Sequence, residues 1–256
     1  PIRRQTKAYP ECEGKPCLSC ATLFGPCRSG KLPLALAYAQ YILCPNRTET
    51  DSCGVCPTCQ KMQKLVHPDL HFVVPTNTTK SVKSNPESDL FMEEWREFTL
   101  KNDGYFNDTD WYAFLDIENK QGYMSVRDAA SLLRKLNMKS YEGEYKIAII
   151  WMAEKMRTDT ANKLLKLLEE PPEKTVFLLI AEDGEELLAT IKSRTALVKI
   201  PSIELHEIET ALKVRLGCND KQAHDAAMIS EGNWITACHS VQDSEEHKYF
   251  FTTFQQ

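Results

Sequence analysis

The chain carries no excess of positive charge. Its 31 lysines and arginines are outnumbered by 36 aspartates and glutamates, for a net charge of −5. This argues against a protein that coats nucleic acid by charge alone, and leaves room for a local DNA-facing patch. Nowhere do about 18 apolar residues run together, so no membrane-spanning helix is expected. Pro1-Ile2-Arg3-Arg4 is not followed by an apolar segment, so the opening lacks a signal-peptide pattern. Disulfides are not expected either. Eight of the ten cysteines precede residue 60, and four of those have metal-ligand spacing, which fits a reduced, cytoplasmic setting. At 256 residues the chain has room for one to three domains.

The organising stretch is 146–195. An apolar run at 147–152 predicts a buried parallel strand. An amphipathic helix follows, with Ala161, Leu164, Leu165 and Leu168 on one face. Glu169-Glu170-Pro171-Pro172 ends it, because proline cannot continue a helix. A second apolar run, 176–181, predicts the next strand, and the stretch closes on Ser193-Arg194-Thr195. This is the layout of an ATPase core.

What such a core needs for chemistry is missing at two places. Between a short strand at 21–24 and a helix over Lys31–Leu43 lies Gly25-x4-Gly30-Lys31, the frame of a phosphate-binding loop. The next position needs a Ser or Thr hydroxyl to hold magnesium, and Leu32 has none. Arg28 adds bulk inside the loop. At the end of the strand near 151, where an Asp would hold the metal and an acid would act as base, stand Trp151 and Met152; Glu154 comes late. Without a metal to bridge the phosphates, attack on the terminal phosphate loses its main charge stabilisation. Gly25, Gly30 and Lys31 are therefore read as a relic. Leu34, Ala37, Tyr38 and Tyr41 are the expected inward face of the helix.

The strongest metal signature is Cys44-x8-Cys53-x2-Cys56-x2-Cys59. Four thiolates close a tetrahedral zinc shell, a structural site without an open catalytic position. Gly54 and Pro57 suit its tight turns. A redox pair is the weaker reading, because Cys56 is shared between two CxxC spacings. Cys12, Cys17 and Cys20 have no evident fourth ligand and are expected as free thiols in an irregular opening. His67 leads into a strand at 70–74 and His71 lies within it; both are expected in a strand-edge role rather than on a metal. Residues 76–88 predict an exposed loop, and the aromatic-rich 89–118 a partly helical insertion packed as core. Ser125-x-x-Asp128 resembles a capping box. It opens a helix with Val126, Ala129, Ala130, Leu133 and Leu136 inward, and with Arg127, Arg134 and Lys135 toward solvent. After Pro201-Ser202, helices at 204–215, 220–230 and 234–241 form a small helical unit. The tail, 243–256, carries Tyr249, Phe250, Phe251 and Phe254 on a further helix that would pack on something.

At ANKLLKLLEEPP (161–172), at Ile191-Lys192-Ser193-Arg194-Thr195 and at the cysteine quartet, the chain resembles the delta-prime family of bacterial DNA polymerase III clamp-loader subunits, which is related to gamma/tau. The resemblance covers about 21–240. It implies an α/β fold of the AAA+ type, a P-loop-type parallel sheet flanked by helices, over 1–200. This part would carry a zinc module at 44–59 and an insertion at about 77–120. A helical lid would follow at 201–242, and the start of a C-terminal collar at 243–256. It further implies an accessory subunit that does not hydrolyse ATP by itself and gives Arg194, with Ser193 and Thr195, to a neighbour's ATP site. The implied partners are gamma/tau and delta subunits, a sliding clamp and primed DNA, with structural zinc as the one cofactor and ATP and Mg2+ not held by this chain.

Departures from the family pattern matter too. Thr195 stands where the motif has cysteine. Ile235 stands where a lid arginine would sense ATP. The first twenty residues lack the family's opening strand and helix with a Gly-Gln pair. Leu32, Trp151 and Ile235 together favour delta-prime over gamma/tau. Two other readings stay open: an active gamma/tau-type ATPase with an unusual magnesium site, and a zinc-ribbon nucleic-acid module on an inactive ATPase core.

Overall fold

In the computed structural model the described residues are 11–12 and 15–16 (backbone only), 19–117 and 120–242. The thiols of Cys12 and Cys17, and the expected tail helix at 243–256, lie outside them. The opening was expected to be irregular. Instead β1 (Glu11–Cys12) and β2 (Lys15–Pro16) pair antiparallel, Glu11 opposite Pro16.

The rest follows in order: β3 (Cys20–Phe24), α1 (Lys31–Leu43), α2 (Pro57–Gln63), β4 (Leu70–Val73), a short 3-10 turn (Ser88–Phe91), α3 (Met92–Lys101), α4 (Asp108–Phe114) and α5 (Val126–Asn137). Then come β5 (Lys146–Trp151), α6 (Thr158–Glu169), β6 (Thr175–Ala181), α7 (Ala189–Lys192), β7 (Ala196–Lys199), α8 (Leu205–Leu216) and α9 (Asp220–Ser230). Residues 234–242 are again helical. No helix among the described residues is long and apolar enough to cross a membrane.

Five strands form one parallel sheet in the order β4-β5-β6-β3-β7. Every residue of β5 and β6 is buried, as expected of central strands covered on both faces. Alternation divides the core. Ile147, Ile149, Trp151, Leu178 and Ile180 face α1 and the aromatic insertion. Ala148, Ile150, Phe177, Leu179 and Ala181 face α5 and α6. A third cluster, around Ile208, Leu212, Ala226 and Trp234, holds the last helices together, and Tyr105 of the insertion joins it.

Several inward faces differ from the hydrophobic pattern. On α1, Ala35, Tyr38, Ala39 and Ile42 are buried, while Ala37 is exposed and Leu34 and Tyr41 are half-buried. Small residues at 35 and 39 let the helix lie close on the sheet. On α5 the buried set is Asp128, Ala129, Ser131, Leu132 and Leu136, and Val126, Ala130 and Leu133 are only half-buried. Hydrogen bonding explains the shift. Asp128 completes the capping box by accepting from Ser125 N and Oγ (both 2.8 Å), and its other oxygen accepts from Ser88 N (2.6 Å) and Oγ (2.7 Å). Ser131 donates to Asp89 (2.6 Å), against which Lys135 also packs. Polar residues thus point inward because the insertion supplies their partners. On α6, Leu167 is buried and Leu165 half-buried.

The loop after β4 is exposed at its middle, but Thr76 and Ser88 pin its ends in the interior. His67 is buried beside β4, its Nδ1 accepting from Asp69 N (3.2 Å). Except for Phe114, which is exposed, the aromatic residues pack as core with Trp95 at their centre. Its ring lies 5.1 Å from Trp151, 5.3 Å from Trp111, 5.5 Å from Phe106 and 5.9 Å from Phe72. Trp95 joins the insertion to β4 and β5 at once. Trp95→Ala is expected to lower unfolding stability by about 3–5 kcal/mol, read as a shift in the urea midpoint; a change within about 0.5 kcal/mol would show that the insertion is not part of the main core.

Candidate functional site

The loop joining β3 to α1 has the backbone of a phosphate cradle. Gly25 has φ 152°, and a Cβ there would stand 2.0 Å from Ile200 O, so only glycine fits. Gly30, at the N-cap of α1, is left-handed at φ 85°. The side chains, however, close the loop on itself. Lys31 is 5% exposed, and its Nζ donates to the carbonyls of Gly25 (2.7 Å) and Pro26 (2.5 Å). Burial pulls its pKa below the usual lysine value, against the opposing pull of Glu182. Leu32 is buried in the core.

The insertion then covers the loop. Arg28 Nη2 meets Asp110 at 2.6 Å. The Tyr105 ring lies against Gly30, and Gly104 lies against Pro33. Between Gly30, Lys31, Phe106, Trp151 and Glu182 remains a cavity of about 10 Å³, room for about one water. Asp110, Tyr105 and Glu182 escaped the sequence reading, because nothing local ties them to a loop some 80 to 150 residues away.

At the end of β5, Trp151 is 3% exposed and packs 5.1 Å from Phe106. Met152 is buried in a left-handed conformation, φ 60°. Glu154 turns away from solvent. One carboxylate oxygen accepts from Glu182 N (2.9 Å), the other is buried with no hydrogen-bond partner among the described residues, and burial raises its pKa. Burial, helped by neighbouring Glu182, pushes the thiol of Cys27 in the loop up to about 12, which disfavours its thiolate.

The cysteine quartet comes together. Cys44 caps the end of α1, Cys56 caps the start of α2, Cys59 sits in its first turn and Cys53 lies in the loop between. All four Sγ atoms lie within 4.8 Å of one another. Cys44 is 3.5 Å from Cys53 and 3.9 Å from Cys56, and Cys53 is 3.9 Å from Cys59. A tetrahedron of thiolates at metal–sulfur distances of about 2.3 Å has edges near 3.8 Å, so the group is close enough to bind a metal ion. Backbone N–H groups of Val55 and Cys56 draw the Cys53 thiol down to about 6. Burial pushes Cys59 up to about 12.

Arg194 is half-buried rather than free. Its Nε donates to Glu169 Oε1 at 2.5 Å, and Nη2 lies against the same oxygen; Nη1 donates to Thr190 O (3.0 Å) and Ser193 Oγ (3.1 Å). Thr195 faces inward, its hydroxyl 2.8 Å from that of Thr22. Arg194 precedes β7, whereas the phosphate loop follows the parallel neighbour β3, with Ala21 opposite Ala196 and Phe24 opposite Lys199. At about 3.3 Å per residue the two lie roughly 20 Å apart, at opposite strand ends. Arg194 and the loop of its own chain do not form one site. Ile235 is half-buried and packs with the third cluster.

The model of a family described as DNA polymerase III, delta subunit, matches residues 14–204. DNA polymerase III subunit delta' of Pseudomonas aeruginosa is 30% identical over 172 residues, 67% of this chain and 40% of that protein. The chain belongs to the DNA polymerase III delta-prime family. The match begins before residue 21, where the resemblance starts in the sequence reading, and takes in part of the opening segment. DNA polymerase III subunit tau of Escherichia coli is 24% identical over 194 residues, 75% of this chain and 23% of that protein. Among solved structures, a RuvB point mutant from Thermotoga maritima has a TM-score of 0.50 at 11% identity, covering 91% of this chain and 57% of that one. The likeness supports the AAA+ type of fold. The chain spans 36–54% of the length of the delta-prime relatives it matches.

A cobalt(II) titration of this delta-prime chain is expected to saturate at about one equivalent, with thiolate-to-metal absorption of tetrahedral sulfur coordination. Cys59→Ser should weaken binding by at least ~10-fold. An unchanged titration would remove the quartet as the site.

Proposed function

We propose that the chain is a non-hydrolysing clamp-loader subunit. In this reading it joins gamma/tau-type and delta subunits in a ring that opens a sliding clamp and places it on primed DNA in the bacterial cytoplasm. Zinc closes the four cysteines as a structural ion. The AAA+ part is assigned to 1–200, the lid to 201–242 and the start of the collar to 243–256.

One observation carries the reading. The lysine that would meet a terminal phosphate is spent on the carbonyls of its own loop, while an indole packs where the metal carboxylate belongs. Leu32 removes the other metal ligand. Placing a triphosphate there means breaking both Lys31 contacts and displacing the insertion. The chain's own part in chemistry is then Arg194. It lies too far from its own loop to serve it, and its place at the opposite strand end suits a neighbour's nucleotide. A guanidinium in that role stabilises the charge that develops on the transferred phosphoryl group, an effect of order 10³–10⁵ in rate.

Calorimetry on the isolated chain is expected to show no magnesium-dependent ATP binding at micromolar concentrations; such binding would overturn the reading in favour of an active gamma/tau-type ATPase. In a reconstituted assembly with a gamma/tau-type subunit, Arg194→Ala should lower ATP turnover while the thermal melt of the isolated subunit stays within about 2 °C of the parent. Unchanged turnover would take Arg194 out of the mechanism.

A further inference from the structure

The structure points to Glu169 as the residue that positions Arg194, and we propose that it holds the guanidinium in the orientation in which a neighbouring subunit's nucleotide meets it. The proposal rests on the trans role of Arg194 argued above and adds to it a second residue, from a different element.

Glu169 is the last residue of α6, and its place is set by the chain: Glu170-Pro171-Pro172 cannot extend the helix. α6 is itself fastened to the sheet by Ala161, Leu164 and Leu168, in the same cluster that buries Ile191 of α7. Glu169 and Arg194 are therefore carried on two elements anchored in one core, and their separation is a property of the fold. The grip is two-sided. Glu169 Oε1 takes Nε and lies against Nη2, while Thr190 O and Ser193 Oγ take Nη1. The Arg194 side chain nonetheless stays 29% exposed, so it is held without being fully buried.

A carboxylate at a helix C-terminus meets the negative end of the helix dipole. A guanidinium beside it relieves that, and this favours the pair over an unpaired Glu169. A free arginine must lose rotamer freedom when it meets phosphate; one already gripped on both sides loses less. Preorganisation of this kind acts on the transition state, so it should appear in kcat and not in the KM for ATP. The LEEPP sequence at 168–172 then has a mechanical meaning: the prolines fix where the glutamate ends up, and the glutamate fixes the arginine.

The test is ATP hydrolysis by the assembly of gamma/tau-type subunits with this chain, comparing Glu169→Gln, Arg194→Ala and the double variant. Glu169→Gln should bring kcat to within about two-fold of the Arg194→Ala assembly. KM for ATP should stay unchanged, and the double variant should be no slower than Arg194→Ala alone, as expected when two residues act through one contact. If Arg194→Ala lowers kcat but Glu169→Gln does not, or raises it, the positioning role is overturned and the trans role of Arg194 stands. If Arg194→Ala changes nothing, the trans role itself fails.

Discussion

An indole at the end of β5 governs much of this molecule. Trp151 is buried against Trp95 and Phe106, and so cannot share its position with a hydrated metal and its carboxylate. Because Trp151 needs apolar neighbours, the insertion must lie over the strand end, and because the insertion lies there, it also covers the loop between β3 and α1. The Arg28–Asp110 pair and the Tyr105 ring on Gly30 are consequences of that placement. The ammonium of Lys31, cut off from solvent, takes the nearest acceptors, its own loop's carbonyls. The space over the loop is thereby narrowed by the chain's own insertion to a small cavity among Gly30, Lys31, Phe106, Trp151 and Glu182.

The same insertion is fastened from the other side by a buried carboxylate. Asp128 caps α5 with one oxygen and holds Ser88 with the other. The local motif and the tertiary contact are thus one group doing two jobs. Removing that group would uncap a helix and loosen the insertion together, because the backbone N–H of Ser88 would stay buried without its acceptor. The four-cysteine cluster stands apart from this. It rests on the end of α1 and the start of α2, and its geometry depends on short turns rather than on the sheet.

Arg194 and the loop after β3 stand at opposite ends of neighbouring parallel strands. On the loop side the Lys31 ammonium is turned inward onto its own loop's carbonyls. On the other side Arg194 is half-buried and tethered to Glu169. The two are therefore held by separate sets of contacts.

The central strand from 147, the strand at 176–181, the helix over 31–43, the Ser125–Asp128 cap and the clustering of the four cysteines were legible in the sequence, because each rests on spacing within about sixteen residues; Met152, expected at the end of the first strand, instead lies past it in a left-handed conformation. The absence of a hydroxyl at Leu32 and of a carboxylate at Trp151 was legible for the same reason: a side chain without an oxygen cannot bind magnesium wherever it lies. The inward face of α5 was not, since Asp128 and Ser131 are buried only because Ser88 and Asp89 meet them. Nor was the pairing of β1 with β2, whose two-residue strands leave no periodicity to read. By itself the sequence determined which side-chain oxygens are absent at positions 32 and 151. Only the tertiary structure decided what filled the space and what holds Arg194, because those contacts join residues 25 to 150 positions apart, and apolar packing and hydrogen-bond satisfaction are settled across such distances only once the sheet has formed.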